Sequence, residues 1–448
     1  MEEFSPANDE LLIEDALPQE AEESAEPIRA RRISARSSDP TLKDLYDRYC
    51  EGDLILQPDF QRYFVWDALK SSRLLESVLL DLPLPIVYLA EEQSGRESVV
   101  DGQQRLTSFF TFIENKWALT GLTLHAELNG KHFQELDGIL RRKIRRAPLR
   151  VTTILKDSDE ELKFEIFERL NTGSVALNEQ EMRNCIYRGG YNNLLKKMAA
   201  DSDFLYLLGL DKPEKRMRDV ELALRFAAFF HNGPENYQAS MRRWLNQEMA
   251  QFQHLSNDDA VTLFHAFRDA VQSAREMLGR RAFRRFRRGT EQNPNGEWET
   301  RRFNAALFDV LLYGFTRYPR RQTQPHLGTL REALLWLMTE DEEFSAACET
   351  ATGATRNVQA RCDKWLGVLA QIVGVARPSS VRRHKQEIFR RQTECCICGA
   401  EIKQLDDAAI LGLDRFLPAE AELARELRLA HRFCKWNQVR QMRGVGNL

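Results

Sequence analysis

The stretch SVVDGQQRLTSFFTFI, residues 98–113, decides how the first half of the chain is read, because its periodicity changes at Gly102. Ser98, Val99 and Val100 read as the end of a strand, whereas QRLTSFFTFI returns apolar residues at helical spacing. DGQQR therefore falls at a strand-to-helix junction, where free backbone N–H groups and the positive helix end favour an anion. Asp101 suits the helix cap, Gly102 lets the backbone approach a ligand, and the fork of Arg105 fits a phosphate or carboxylate. The same residues also suit a purely structural turn, in which Asp101 caps and Arg105 pairs with an acidic neighbour.

Upstream, LPIVYLA from Leu84 to Ala90 reads as a second strand. It follows SSRLLESVLLDLP, whose Leu74, Leu75, Val78 and Leu79 form a helical stripe ended by Pro83. TLKDLYDRYC places Leu42, Leu45 and Tyr46 on one helical face, with Gly52 as the stop, and the Pro-interrupted ILQPDFQRYFVW lies between. Downstream, FEIFERLNTGSVALNEQEMRN carries an apolar face at Phe164 and Phe167, a break at Asn171 and Gly173, and a capping box from Asn178 to Glu181. Asn171, Thr172 and Gly173 either connect two helices or present an amide, a hydroxyl and backbone groups to a ligand. From about residue 191 to 380 the pattern is helical, as in DVELALRFAAFF, DAVTLFHAFRDAVQSAREML and REALLWLM.

The chain of 448 residues is long enough for two or three domains. No stretch approaches the roughly 20 apolar residues of a membrane span, and no charged, apolar leader opens the chain, so a cytoplasmic location is expected. The net charge of -3 hides an asymmetry: the first 28 residues carry ten acidic and no basic side chains, which leaves +7 on the remainder. The acidic opening reads as a disordered tail, either solubilising or screening a basic groove. Two basic runs, RRAFRRFRR (280–288) and RRKIRRAPLR (141–150), suit phosphate contacts or a solvated surface.

Cysteines gather at the end. Cys395 and Cys398 form a CxxC pair followed by Gly399, and His431 and Cys434 form an HxxC pair. Three thiolates and one imidazole are the ligand set of a closed structural zinc site. Cys396 offers another register, but a CxC spacing constrains the loop more tightly than CxxC.

Taken together, PDFQRYFVW (58–66), LLESVLLDLPLPIVYL, VVDGQQRLTSFFTFI and FERLNTG resemble the ParB/sulfiredoxin-like N-terminal domain of the GmrS-type family, also called domain of unknown function 262. The resemblance spans roughly residues 40–190. It implies an anti-phage defence or restriction-related protein that binds, and in the family hydrolyses, ATP or GTP, with or without Mg. On that resemblance Asp101, Gln103, Gln104 and Arg105 are the leading nucleotide-site residues, with Gln61, Arg62, Gly102, Asn171 and Gly173 around them. Phage or modified DNA is the implied partner, and a defence-system protein partner and a homo-oligomer stay open. A non-catalytic DNA-binding or scaffold protein is the alternative, and an HNH-type nuclease a further one.

The C-terminus resembles an HNH module in Cys395, Cys398, Gly399, Asp414, Pro418, His431 and Cys434. It departs from that family where Arg415 replaces the general-base histidine, Glu426 an asparagine and Lys435 the residue after the last cysteine. A guanidinium takes no proton from water near pH 7, so a degenerate HNH fold without nuclease chemistry is expected. The expected fold class is α+β. Its parts are an acidic tail (1–38), a ParB/sulfiredoxin-like nucleotide-binding domain (39–190), a mostly helical domain (191–380) and a small HNH-like zinc module (381–448).

Overall fold

The computed structural model describes residues 13–14, 34–56, 66–92, 94–158, 163–166, 169, 178–300, 302–374, 381–411 and 427–444. The fold is mixed α+β, and the chain divides into two compact units, Ser24–Arg188 and Gly189–Leu448 together with Met1–Glu23.

In the first unit the elements run β1 (Ala35–Ser38), α1 (Leu42–Glu51), β2 (Leu54–Ile55), α2 (Ala68–Leu79), β3 (Val87–Glu91), β4 (Glu97–Asp101), α3 (Gln103–Ile113), α4 (Gly138–Arg146), β5 (Val151–Ile154) and α5 (Glu179–Ile186). The strands form one mixed sheet in the order β1-β5-β3-β4-β2. β3 and β4 are antiparallel neighbours with a bulge at Tyr88 and Leu89, and β5 runs parallel to β3. Period-two alternation divides the strand residues between two faces. Val87, Leu89, Val99 and Val151 join a core with Leu45, Leu75, Phe109 and Ile144 from the four preceding helices. Ala90, Val100 and Ile154 turn the other way and pack with Phe164, Met182 and Ile186.

Two sequence expectations shift. Ala35–Ser38, assigned to the acidic tail, pair with β5 as an edge strand, because residues past the acidic run supply Ser and Arg to a solvent-facing ladder. The strand expected from Leu84 begins at Val87, since the carbonyls of Pro85 and Ile86 turn to a guanidinium instead of a neighbouring strand. Thr41 and Asp44 close a capping box at α1, and Gly52 ends it in the left-handed conformation.

The second unit is mainly helical. Its longest helix, Asn257–Leu278, starts at a Ser256 cap and packs against Ala305–Thr316 and Leu327–Thr339. A fully buried Asp309 accepts two bonds from Arg225, at 2.9 and 2.5 Å, inside this bundle. Ile13–Glu14, within the acidic opening, pair in parallel with Phe303–Asn304.

The cysteine-rich end belongs to this unit. Strands Ala408–Ile410 and Leu429–His431 pair antiparallel and lead into helix Arg432–Gly444. Buried ion pairs fasten the module to the helices. Glu332 accepts from Arg382, Lys385 and Arg432 at 2.5, 2.8 and 2.9 Å. Asp406 accepts from Arg331 at 2.6 Å, Arg281 at 2.8 Å and the Trp298 indole at 3.0 Å.

Candidate functional site

The DGQQR turn joins the end of β4 to the start of α3. Gly102 is the residue before the helix and lies at φ 100°, a left-handed value natural only to glycine. An added Cβ would stand 2.7 Å from Val87 Cγ2, so the turn presses directly onto β3. No side chain caps α3, and Leu106 N–H closes the first turn onto the Gly102 carbonyl at 2.9 Å. Asp101, expected as the cap, does not serve as one. Gly102 occupies that position, and the Asp101 carboxylate reaches forward to Arg105 Nη2 at 2.7 Å.

Arg105 is buried, and its guanidinium is committed. Besides Asp101 it donates to the Pro85 carbonyl and, at 3.3 and 3.2 Å, to Ile86 O. Burial pulls its pKa down, and Asp101 opposes that shift. Arg105 thus ties the β3 entry to the end of β4, while Asp101 is the exposed partner, its side chain 43% accessible against 10% for Arg105. Gln103 and Gln104 stand half-buried on the first turn beside them. The structure thus brings Asp101, Gly102, Gln103, Gln104 and Arg105 together at one strand end. Gln61, Arg62, Asn171 and Gly173 lie outside the described residues.

The sequence reading missed a second polar group in this unit. On α5, Arg183 has no exposed side-chain surface; it donates to Glu179 at 2.7 Å and Gln180 at 3.3 Å and lies 5.8 Å from the Phe164 ring. The Glu179–Arg183 spacing of four was its signal. The expected capping box beside it is present, with Asn178 Oδ1 accepting from Glu181 N and Glu181 Oε2 from Asn178 N.

The arginines at 280–288, expected to contact phosphates, are largely engaged within the protein. Arg285 forks onto Glu299 and also meets Glu349, Arg287 pairs with Glu299, and Arg281 with Asp406. Arg288 donates to Thr339 O and lies 3.4 Å from the Trp436 ring. Arg284 is buried, which pulls its pKa to about 10. Acidic residues distant in sequence consume the charge that the local run displays.

At the C-terminus Cys395, Cys398, His431 and Cys434 bring their ligand atoms within 4.8 Å of one another. His431 Nδ1 lies 3.4 Å from Cys398 Sγ and 3.8 Å from Cys434 Sγ. Tetrahedral zinc bonds of about 2.3 Å to sulfur and 2.0 Å to nitrogen imply about 3.6 Å between such atoms. His431 Nε2 lies 3.2 Å from the Glu401 carbonyl, which fits Nε2–H donation and leaves the Nδ1 lone pair for a metal. Burial opposes ionisation of Cys395, and N–H groups of Cys398, His431 and Ile397 overcome it, bringing the thiol to about 7. Gly399 turns at φ 75°, and its N–H returns to Cys395 O at 2.9 Å. Cys396 packs against the small apolar core and its sulfur is not among the four clustered ligand atoms, which resolves the register. The residues present fit a metal such as zinc. Lys435 is drawn toward Glu340 at 3.9 Å, while Asp414, Arg415, Pro418 and Glu426 lie outside the described residues.

Residues 42–188 match the family model of the GmrSD restriction endonuclease, N-terminal domain. The match takes in α1 to α5 and ends at Arg188, where the first compact unit also ends. No curated protein and no solved structure matches the chain. No helix among the described residues is long and apolar enough to cross a membrane.

Proposed function

We propose that the chain is a restriction-related defence protein that binds ATP or GTP at the Asp101–Arg105 turn and acts on or senses DNA. The match over residues 42–188 supports the restriction-related part. One observation carries the nucleotide part: a left-handed glycine opens α3 with no side-chain cap, at a strand end where the adjoining carboxylate is locked in place. Such a turn offers helix N–H groups and the helix dipole to a phosphate. In this reading Gln103 and Gln104 hold the ligand, Asp101 orients a water or a Mg-bound phosphate, and Arg105 positions Asp101. The resemblance adds Gln61, Arg62, Asn171 and Gly173, which lie outside the described residues, as further candidate contacts.

Arg105 also supports a second reading. A guanidinium already bonded to two carbonyls and a carboxylate has little left with which to stabilise a transferring phosphoryl group. Binding without appreciable turnover, as a conformational switch, suits this arrangement. Radiolabelled ATP and GTP turnover, with and without duplex DNA, separates the two. DNA-stimulated hydrolysis lost in Asp101→Ala supports the enzyme; tight binding without hydrolysis supports the switch.

For the C-terminal module we infer one structural zinc held by Cys395, Cys398, His431 and Cys434, with no HNH cleavage. Zinc would supply folding energy to a segment whose own core is small.

A further inference from the structure

Two arginine runs stand out in the sequence, and the structure treats them oppositely. The 280–288 run is spent on Glu299, Glu349, Asp406 and Trp436. The run on α4 is not. Arg141, Arg142, Arg145 and Arg146 are all exposed, and no carboxylate pairs with any of them among the described residues. At 100° per residue these four positions span about 140° of the helix surface. Ile144 falls outside that arc and is fully buried in the core. The acids that could neutralise the arc are occupied elsewhere. Asp137 caps α4 through Ile139 N and Leu140 N, Asp81 holds Lys143 at 2.6 Å, Asp39 holds Arg150 at 2.7 Å, and Glu135 accepts from His132 N. Arg145 lies 5.4 Å from the Phe133 ring, which limits its freedom before any ligand arrives.

We propose that α4 is a contact surface for the phosphate backbone of duplex DNA, with Arg141, Arg142, Arg145 and Arg146 as the contacting groups; this rests on the reading that the protein engages DNA. The rise from Arg141 to Arg146 is about 7.5 Å. Over that length one strand of a duplex presents about two phosphates and the two strands together about four. The contacts proposed are to phosphate oxygens, which fix position on DNA and carry no sequence information.

The test is fluorescence anisotropy of the full chain with a 20-base-pair duplex between 50 and 200 mM NaCl, with single-stranded RNA as a second arm. Three lost phosphate contacts lower the log–log salt slope by about 2.7. The affinity of the unaltered protein should therefore fall about 40-fold more over this range than that of Arg141→Gln/Arg142→Gln/Arg146→Gln. The Lys triple variant at the same positions should keep the full slope, a result that loss of packing would not give. Equal slopes for the Gln variant and the unaltered protein, measured on DNA that both bind, overturn α4 as the surface while leaving the DNA reading intact. No binding of any duplex at 50 mM NaCl overturns both. Binding of the RNA alone, with the same loss of slope, overturns DNA as the partner. Nucleotide titration of the same variants should be unchanged and reports separately on the Asp101–Arg105 turn.

Discussion

Asp406→Asn removes one negative charge from the junction between the cysteine-rich module and the helices, and its cost follows from the residues around it. Asp406 is 2% exposed and accepts from Arg331 Nη2 at 2.6 Å, Arg281 Nη1 at 2.8 Å and Trp298 Nε1 at 3.0 Å, with Arg382 at 3.4 Å. Burial opposes its charge, but Arg331, Arg382 and Lys385 overcome that penalty and hold the carboxyl well below the usual range. Asparagine keeps the shape and leaves the cations facing a neutral amide. Breaking a buried pair in this way costs about 3–5 kcal/mol. For a unit the size of Gly189–Leu448 that is about 5–9 °C in the calorimetric transition at pH 7. The pH dependence has a defined sign. Because the folded pKa is depressed, this stabilisation is complete above the unfolded value of about 3.9 and is lost as pH falls toward the folded one. The gap between the two proteins should therefore be flat from pH 7 to 5 and narrow below about 4. Coincident transitions at pH 7 would refute the idea that Asp406 fastens the module.

Gly102→Ala should destabilise the first unit by about 1–3 kcal/mol, seen as a lower urea midpoint, because φ 100° and the 2.7 Å approach to Val87 must both be strained. Arg105→Gln should destabilise the same unit by about 2–4 kcal/mol, again seen as a lower urea midpoint, and weaken nucleotide binding, and Arg105→Lys should rescue neither, since one ammonium cannot replace a fork onto Ile86 and Asp101. Metal analysis should find about one zinc per chain, lost in Cys398→Ala, and chelation should lower the second unit's transition. Plasmid incubated with magnesium, manganese or nickel should not be cut through this module; cleavage abolished by Asp414→Ala would show that a carboxylate still organises a catalytic metal there.

What the sequence revealed and what it hid differ by range. The β4–α3 junction, the Asn178–Glu181 capping box and the Cys/His pairs are written in residues at most a few positions apart, or in ligand types that have few other uses. Pairings across the chain leave no local trace. Arg281 meets Asp406 from 125 residues away and Arg285 meets Glu349, which lies on a later helix, so the run at 280–288 read as a free basic surface. Arg105 read as a ligand for phosphate because its partners at Pro85 and Ile86 are backbone carbonyls, which no side-chain pattern announces. Asp101 read as a helix cap for a related reason: an aspartate before a helix usually caps it, but the left-handed Gly102 moves the cap by one residue.

The central claim is nucleotide binding at the Asp101–Arg105 turn, and isothermal titration of the full chain with ATP and with GTP tests it most directly. Asp101→Ala and the Gln103→Ala/Gln104→Ala double variant are run beside it, with thermal melts as a check on folding. The account predicts binding of at least one of the two nucleotides by the unaltered protein. It also predicts affinity at least about tenfold weaker in the double variant at an unchanged melting temperature, the loss of about 1.4 kcal/mol expected for one hydrogen bond to a charged group. Binding of neither nucleotide by the unaltered protein, or equal affinity in the double variant, would contradict it.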